Sequence, residues 1–229
     1  MTRLPALCAK VLPFLLLALM LPFAARGQAV SEPQRIVDRA RIIVEDFKAD
    51  PNFSGIRPFI QNAYGVIIIP QLLRGGFIVG GQYGNGVLLV RDVQSGAWSD
   101  PVFVVMVGAS IGLQIGGEAS DLLLTIMHED AVAKLLAHQF KLGVDASAAI
   151  GPLGAGAGAA TTTRFGEDVY IFSRNIGLFA GMTFDGTVIT PRHEWNEIYY
   201  GRKVSPREIV AGRVRNSGAE ALKRALAGF

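Results

Sequence analysis

The sequence predicts one α+β domain: a bent antiparallel β-sheet or sandwich covered by an N-terminal helix, a central helix and C-terminal helices. Three observations carry that expectation. Apolar residues recur at helical spacing near 33–48 and again towards the C-terminus. Between Tyr64 and Met127 the pattern changes to alternating runs separated by turn residues, as strands require. The third is glycine, abundant between Gly75 and Gly117; inside a strand it sacrifices packing and so marks a bulge, a bend or a close approach.

Residues 1–27 are read separately. Arg3 and Lys10 give a basic start, Val11–Phe23 an apolar stretch, and the segment 24–29 small residues suited to cleavage after Gly27 or Ala29. This predicts a secretory signal peptide. The apolar stretch contains Pro13 and Pro22 and is shorter than the roughly 20 residues of a membrane-spanning helix. The remainder, 28–229, is expected to form a single domain with a helical extension from about 202.

Export changes the charge argument. The chain of 229 residues holds 22 basic and 19 acidic side chains, and Arg3, Lys10 and Arg26 lie in the leader without any acid. The mature part is therefore close to neutral, which excludes a nucleic-acid footprint. Its single cysteine, Cys8, also lies in the leader, leaving no disulfide, thiolate nucleophile or cysteine metal ligand.

Along the mature chain, Ser31 to Gln34 reads as a capping box, with Ile36, Ala40, Ile43, Val44 and Phe47 on the buried face of a helix. Its polar face mixes Arg35, Arg39 and Arg41 with Asp38, Glu45 and Asp46. Asn85-Gly86 and Ser95-Gly96 predict hairpin turns. In the run 108–116, Ala109, Ile111, Leu113 and Ile115 face one way, and Gly108, Ser110, Gly112, Gln114 and Gly116 the other. A helix is expected near 130–138 with Val132, Leu135 and Leu136 inward, then an alternating strand over 141–150. The glycine-rich segment 151–160 is a loop or a continuing strand, and Asp185-Gly186 predicts a hairpin between 178–184 and 187–190. Ser205–Glu208 and Ser217–Glu220 both have the form of capping boxes, and Leu222, Leu226 and Phe229 stripe the last helix. From Arg202 onward seven basic residues face only Glu208 and Glu220.

Catalytic motifs are weak. Gly108-Ala109-Ser110-Ile111-Gly112 matches the G-x-S-x-G nucleophile elbow, with Asp185 and His193 following in order, but an elbow needs a sharp strand-to-helix turn and the alternation runs straight through Ser110. A serine hydrolase is therefore only a remote alternative. Gly84-Asn85-Gly86 and Gly154–Ala159 lack the context of a nucleotide fingerprint. His128, His138 and His193 are dispersed; His193 with Glu194 and Glu197 is the one weak metal candidate, and no cofactor is expected. Trp98, Tyr199 and Tyr200 read as core or interface anchors.

A family resemblance joins these pieces. AYGV at 63–66 with Pro70, GGFIVGG at 75–81, YGNGVL at 83–88 and WS at 98–99 with Pro101 are followed by SIGLQIGG at 110–117. KLGVDA at 141–146, Gly151-Pro152 and GLFAG at 177–181 continue the set. From about 34 to 201 the chain resembles bacterial members of the SYLF family, lipid-binding domains found also in fungal and animal endocytic proteins. The resemblance implies a non-enzymatic protein that binds phospholipid membranes, here in the periplasm or otherwise exported. Arg74, Lys141 and Arg174, supported by Arg35, Arg39 and Arg41, are the expected headgroup contacts. The alternative is a structural envelope protein whose small-residue face receives a protein partner.

Overall fold

The computed structural model describes residues 30–152, 166–174, 184 and 186–229, with the backbone alone at 76–79 and 110–117. Helix α1 (Glu32–Ala49) leads through a 3-10 turn (Pro51–Ile56) into α2 (Arg57–Asn62). Two long strands follow, β1 (Gly65–Val90) and β2 (Val102–Ile126), then α3 (Glu129–Ala137), β3 (Phe140–Lys141) and β4 (Ala148–Ile150). The rest comprises β5 (Val169–Ser173), β6 (Val188–Pro191), α4 (His193–Tyr200), α5 (Pro206–Val210), a 3-10 turn (Ser217–Ala219) and α6 (Glu220–Ala227). From Ser31 onward these elements form one unit, and the α+β expectation holds.

The strands β1 and β2 form a single long ribbon, antiparallel from Gly65↔Ile126 to Leu88↔Val102. Register shifts fall between Ile69 and Leu72 and between Gly76 and Ile78, where ribbons gain bend and twist. At the first shift Gln71 takes a left-handed φ of 66°, and its amide donates to the Asp121 carboxylate at 3.2 Å. The bend brings the ends of β1 together, so that the Arg91 amide donates to the Tyr64 carbonyl at 2.8 Å.

This curl explains the failure of one predicted turn. Ser95-Gly96 does lie in the hairpin connection, with Gly96 at φ 70° and the Asp92 carboxylate accepting from the Gln94 and Ser95 amides. Asn85-Gly86 instead sits inside β1, opposite Val105 and Val104. Gly86 is there for space: a Cβ built on it would overlap the carbonyl oxygen of Ile68, from the opposite end of the same strand.

Strand β2 is the centre of the six-stranded sheet. Its one edge takes β1; the other takes β6 at 104–107 and β5 at 122–126, with β3 beyond β6 and β4 beyond β5. All pairs are antiparallel except β4 with β5. Alternation splits the first segment of β1 between two cores: Val66 and Ile68 join α1, Phe53, Phe59, Phe172 and α6 on one face. Ile67 and Ile69 join α3, Phe140, Ile189 and Ile209 on the other. Both faces are buried, so these residues form a continuous apolar run.

The helices follow their stripes. All five residues expected on the inner face of α1 are buried, and the Ser31 side chain caps the Gln34 amide at 3.3 Å. Gln34 does not return the bond as in a full capping box; its side-chain amide donates to Asp38 and to the Gly218 carbonyl. The reciprocal box does form at Ser205 and Glu208. At 217–220 it does not: Asn216 caps the turn instead, and Glu220 pairs with Lys223 at 2.8 Å. In α3, Val132 and Leu135 are buried and Leu136 is half-buried.

The strand expected over 141–150 is also corrected. Gly143 adopts a left-handed φ of 82°, the Lys141 amide donates to the Asp145 carboxylate at 2.7 Å, and Val144 is 74% exposed. A tight turn therefore separates β3 from β4. The segment 153–165 and the expected strand at 178–184, except Phe184, lie outside the described residues, as does Asp185.

Candidate functional site

The glycines of the ribbon divide by face. Towards the curl, Gly84 abuts Ile69 and Leu72, Gly86 abuts Ile68, and a Cβ on Gly108 would fall 2.6 Å from the Gln82 amide nitrogen. The chain itself fills this face. Away from the curl, Gly75 has nothing within 4 Å of where a Cβ would stand, and Gly81 meets only the Gly108 carbonyl oxygen at 3.9 Å. The side chains beside these two open glycines are large and apolar. Leu73 is 50% exposed, Tyr83 46% and Val107 37%; Tyr83 and Val107 are register partners. Tyr83 and Val107 form one exposed apolar pair, and with Leu73, ten residues earlier on β1, they mark the outer stripe of the ribbon.

Arg74 points away from that stripe. Its Nε donates to the Gln82 side-chain oxygen at 3.0 Å, and Gln82 donates to the Thr187 hydroxyl at 2.6 Å. Its guanidinium lies over the Phe184 ring at 5.2 Å. Burial lowers its pKa below the ordinary arginine value, while the charge of its register partner Glu118 opposes the shift. Arg74, buried Gln82 and buried Thr187 thus form a polar ladder on the inner face.

The other cationic candidates distribute along α1 and the sheet edges. Arg35 pairs with Glu32 at 2.6 Å and Arg41 with Glu45 at 2.7 Å, both within α1. Arg174, at the end of β5, pairs with Asp46 of α1. Arg39 and Asp46 share a cleft of about 340 Å³ with Ile42, Pro70, Gln71 and Asp121. Arg39 thus lines a cleft at the first bend of the ribbon, whose Asp46 is the partner of Arg174. Lys141 stands apart, exposed on β3.

Among the described residues the enzymatic alternatives find no assembled site. Ser110 lies inside β2, paired with Gly80, and β2 continues beyond it without a turn into helix. His193 is exposed at the start of α4. Among the described residues no group of three His, Cys, Asp or Glu side chains could hold a metal ion. His128 bonds to Asp168 at 2.9 Å, and the other oxygen of that carboxylate accepts from the amide and hydroxyl of Ser147. Burial would raise the Asp168 pKa, but the Ser147 bonds and His128 outweigh it and hold the carboxyl below its ordinary value. With Asp168 between them, His128 does not activate Ser147. Trp98 and Tyr199 are core residues: Tyr199 lies edge-on to Phe103 at 5.0 Å.

The Arg39 cleft and the stripe depended on the curl, which places Ile68 and Ile69 over Gly86 and Gly84. No local signal reveals which face of β1 stays open. Also unread in the sequence was α4, whose buried Asn196 accepts from the Phe103 amide at 2.9 Å and ties the helix to β2.

Among the described residues no helix is long and apolar enough to cross a membrane. Residues 107–229 match the family described as Ysc84, Las17-binding protein actin regulator. The chain is 35% identical over 159 residues to LAS seventeen-binding protein 3 of Saccharomyces cerevisiae, covering 68% of this chain and 34% of that protein. It is 35% identical over 164 residues to Protein YSC84 of the same yeast, covering 70% and 35%. To SH3 domain-containing YSC84-like protein 1 of Xenopus laevis it is 32% identical over 157 residues, covering 68% and 46%. The chain thus spans about a third to a half of the length of these relatives, which are named for binding or for their domains rather than for a reaction. No solved structure matches it. The match over more than half of the chain, from Val107 within β2 to the C-terminal helices, shows that this protein belongs to the Ysc84 family of SYLF domains.

Proposed function

We propose that this protein is a non-enzymatic, exported SYLF-domain protein that docks on phospholipid membranes. Residues 1–27 serve as the export signal, and 28–229 act as one domain in the periplasm or an equivalent exported location. The observation that carries the reading is the exposed apolar pair Tyr83 and Val107 beside the open Gly81, with Leu73 beside the open Gly75 further along β1. With half or less of each side chain still exposed, covering it gains about 1 kcal/mol apiece, and a bilayer surface offers that burial. Arg35, Arg39, Arg41, Lys141 and Arg174 are the proposed headgroup contacts; Arg74, bonded to Gln82 on the inner face, serves the ladder instead.

A second reading places a protein partner on the same stripe. It is favoured by the family description, which names binding to Las17; for an exported protein the counterpart would be an envelope protein. Co-sedimentation with vesicles separates the two. The mature protein is expected to pellet with anionic vesicles and, less strongly, with zwitterionic ones, and Leu73→Asp with Val107→Asp to weaken partitioning about tenfold or more. Protein that stays in the supernatant with both vesicle types, yet forms a defined lipid-free complex on cross-linking, would replace the membrane reading with the partner reading.

A further inference from the structure

A second cleft, of about 360 Å³, lies between the β1–β2 connection and α6. Trp98, Ser99 and Asp100 form one wall; Arg215, Lys223 and Arg224 contribute to the other. Asp100 is 4% exposed, and its Oδ1 has no hydrogen-bond partner among the described residues. Its Oδ2 is 3.9 Å from the Lys223 ammonium, which is nearer to Glu220 at 2.8 Å. The buried Tyr199 hydroxyl also has no partner among the described residues. Burial and then the Asp100 charge raise its pKa above the ordinary tyrosine value, so the hydroxyl and the carboxylate sense one another.

Burial raises the Asp100 pKa above the ordinary carboxylate value, opposed by the Lys223 charge and the Asn216 amide. Among the described residues its Oδ1 still lacks a donor, a costly state that a ligand carrying N–H groups relieves. The exposed Arg215 and Arg224 ask for the opposite charge. A plain anion would lie against the Asp100 carboxylate, and a plain cation against three basic side chains. A quaternary ammonium has no N–H to donate, and Trp98 is buried in the core, leaving no aromatic cage for it.

We propose that this cleft binds an ammonium–phosphate zwitterion, the chemistry of a phosphoethanolamine headgroup, with the ammonium donating to Asp100 and the phosphate set against Arg215 and Arg224. The inference deepens the membrane-docking reading by naming a headgroup class, and it rests on that reading for the lipid as the source. Sequence pattern pointed to the local basic excess after Arg202 but not to Asp100, which the fold buries beside it.

The test is calorimetric titration of the full chain with phosphoethanolamine, phosphocholine and inorganic phosphate, alongside co-sedimentation with phosphatidylcholine vesicles with and without phosphatidylethanolamine. Phosphoethanolamine is expected to bind about tenfold or more tightly than either comparison ligand, and Asp100→Asn to abolish that preference while phosphate binding persists. Equal affinities, or a preference unchanged in Asp100→Asn, would overturn the site. Should Asp100→Asn fail to fold, the exposed double variant Arg215→Gln with Arg224→Gln decides: unchanged phosphoethanolamine affinity overturns the proposal, and a loss of about tenfold supports it. Pelleting indifferent to phosphatidylethanolamine, without selective titration, leaves membrane docking standing and removes this site. Selective titration without pelleting upholds the site with a free aminophosphate as its source and removes membrane docking; neither result removes both.

Discussion

Gly86→Ala is expected to destabilise the protein by about 3 kcal/mol or more in urea unfolding, despite adding only one methyl group. The added Cβ would overlap the Ile68 carbonyl oxygen, with the Ile69 side chain also within 2.5 Å. A backbone oxygen in a paired strand cannot rotate aside as a side chain can. Relief requires the ends of β1 to separate, which disturbs the Tyr64–Arg91 hydrogen bond and both cores that share this segment. Gly75→Ala is the matched control, since nothing lies within 4 Å of its new methyl group and its φ is not left-handed. It should be neutral or stabilising by about 0.5 kcal/mol, the usual gain from removing glycine from a strand. Equal effects at the two positions would show that β1 does not fold over itself.

Phe172→Ala is expected to cost about 3–5 kcal/mol, a large part of the roughly 5–15 kcal/mol that holds a typical domain together. Phe172 is fully buried on β5 opposite Leu123, and its ring lies edge-on to Phe59 at 5.3 Å. A Cβ on Gly151 would overlap that same ring, so the glycine and the phenylalanine fill one space. Truncation leaves a cavity between α2 and β5 that the paired strands are too constrained to close. Truncating the exposed Val93 to alanine should change the unfolding midpoint very little. A Phe172→Ala midpoint close to that of the parent would mean that β5 is not a core strand.

What the sequence revealed was mostly what neighbours along the chain decide. The stripe of α1 repeats at helical spacing, and each of its expected core positions is buried. The straight passage of β2 through Ser110 followed from alternation alone. Where the reading failed, a distant residue or an unusual φ intervened. Asn85-Gly86 has the composition of a turn, but the glycine is set by Ile68, whose approach depends on the curl of the whole ribbon. The pattern of 141–150 alternates acceptably, yet Gly143 turns the chain. In the helix of 193–200, buried Asn196 interrupts the apolar pattern because the Phe103 amide requires its side-chain oxygen.

The candidate surface was legible in the same limited way. Its small residues stood out in the sequence, but their two faces have opposite fates: Gly84, Gly86 and Gly108 are packed from within, while Gly75 and Gly81 remain open beside Leu73, Tyr83 and Val107. The cationic candidates were chosen by charge, and only the fold shows that Arg35, Arg41 and Arg174 already have acidic partners while Arg74 turns to the inner ladder.

Membrane docking through the outer stripe is tested most directly by placing a fluorophore on it. Tyr83→Trp, measured against the parent with its native Trp98 and Trp195, should show a blue shift on adding vesicles and quenching by brominated acyl chains. Quenching no greater than in the parent, under conditions where the protein sediments with those vesicles, would contradict docking through this surface.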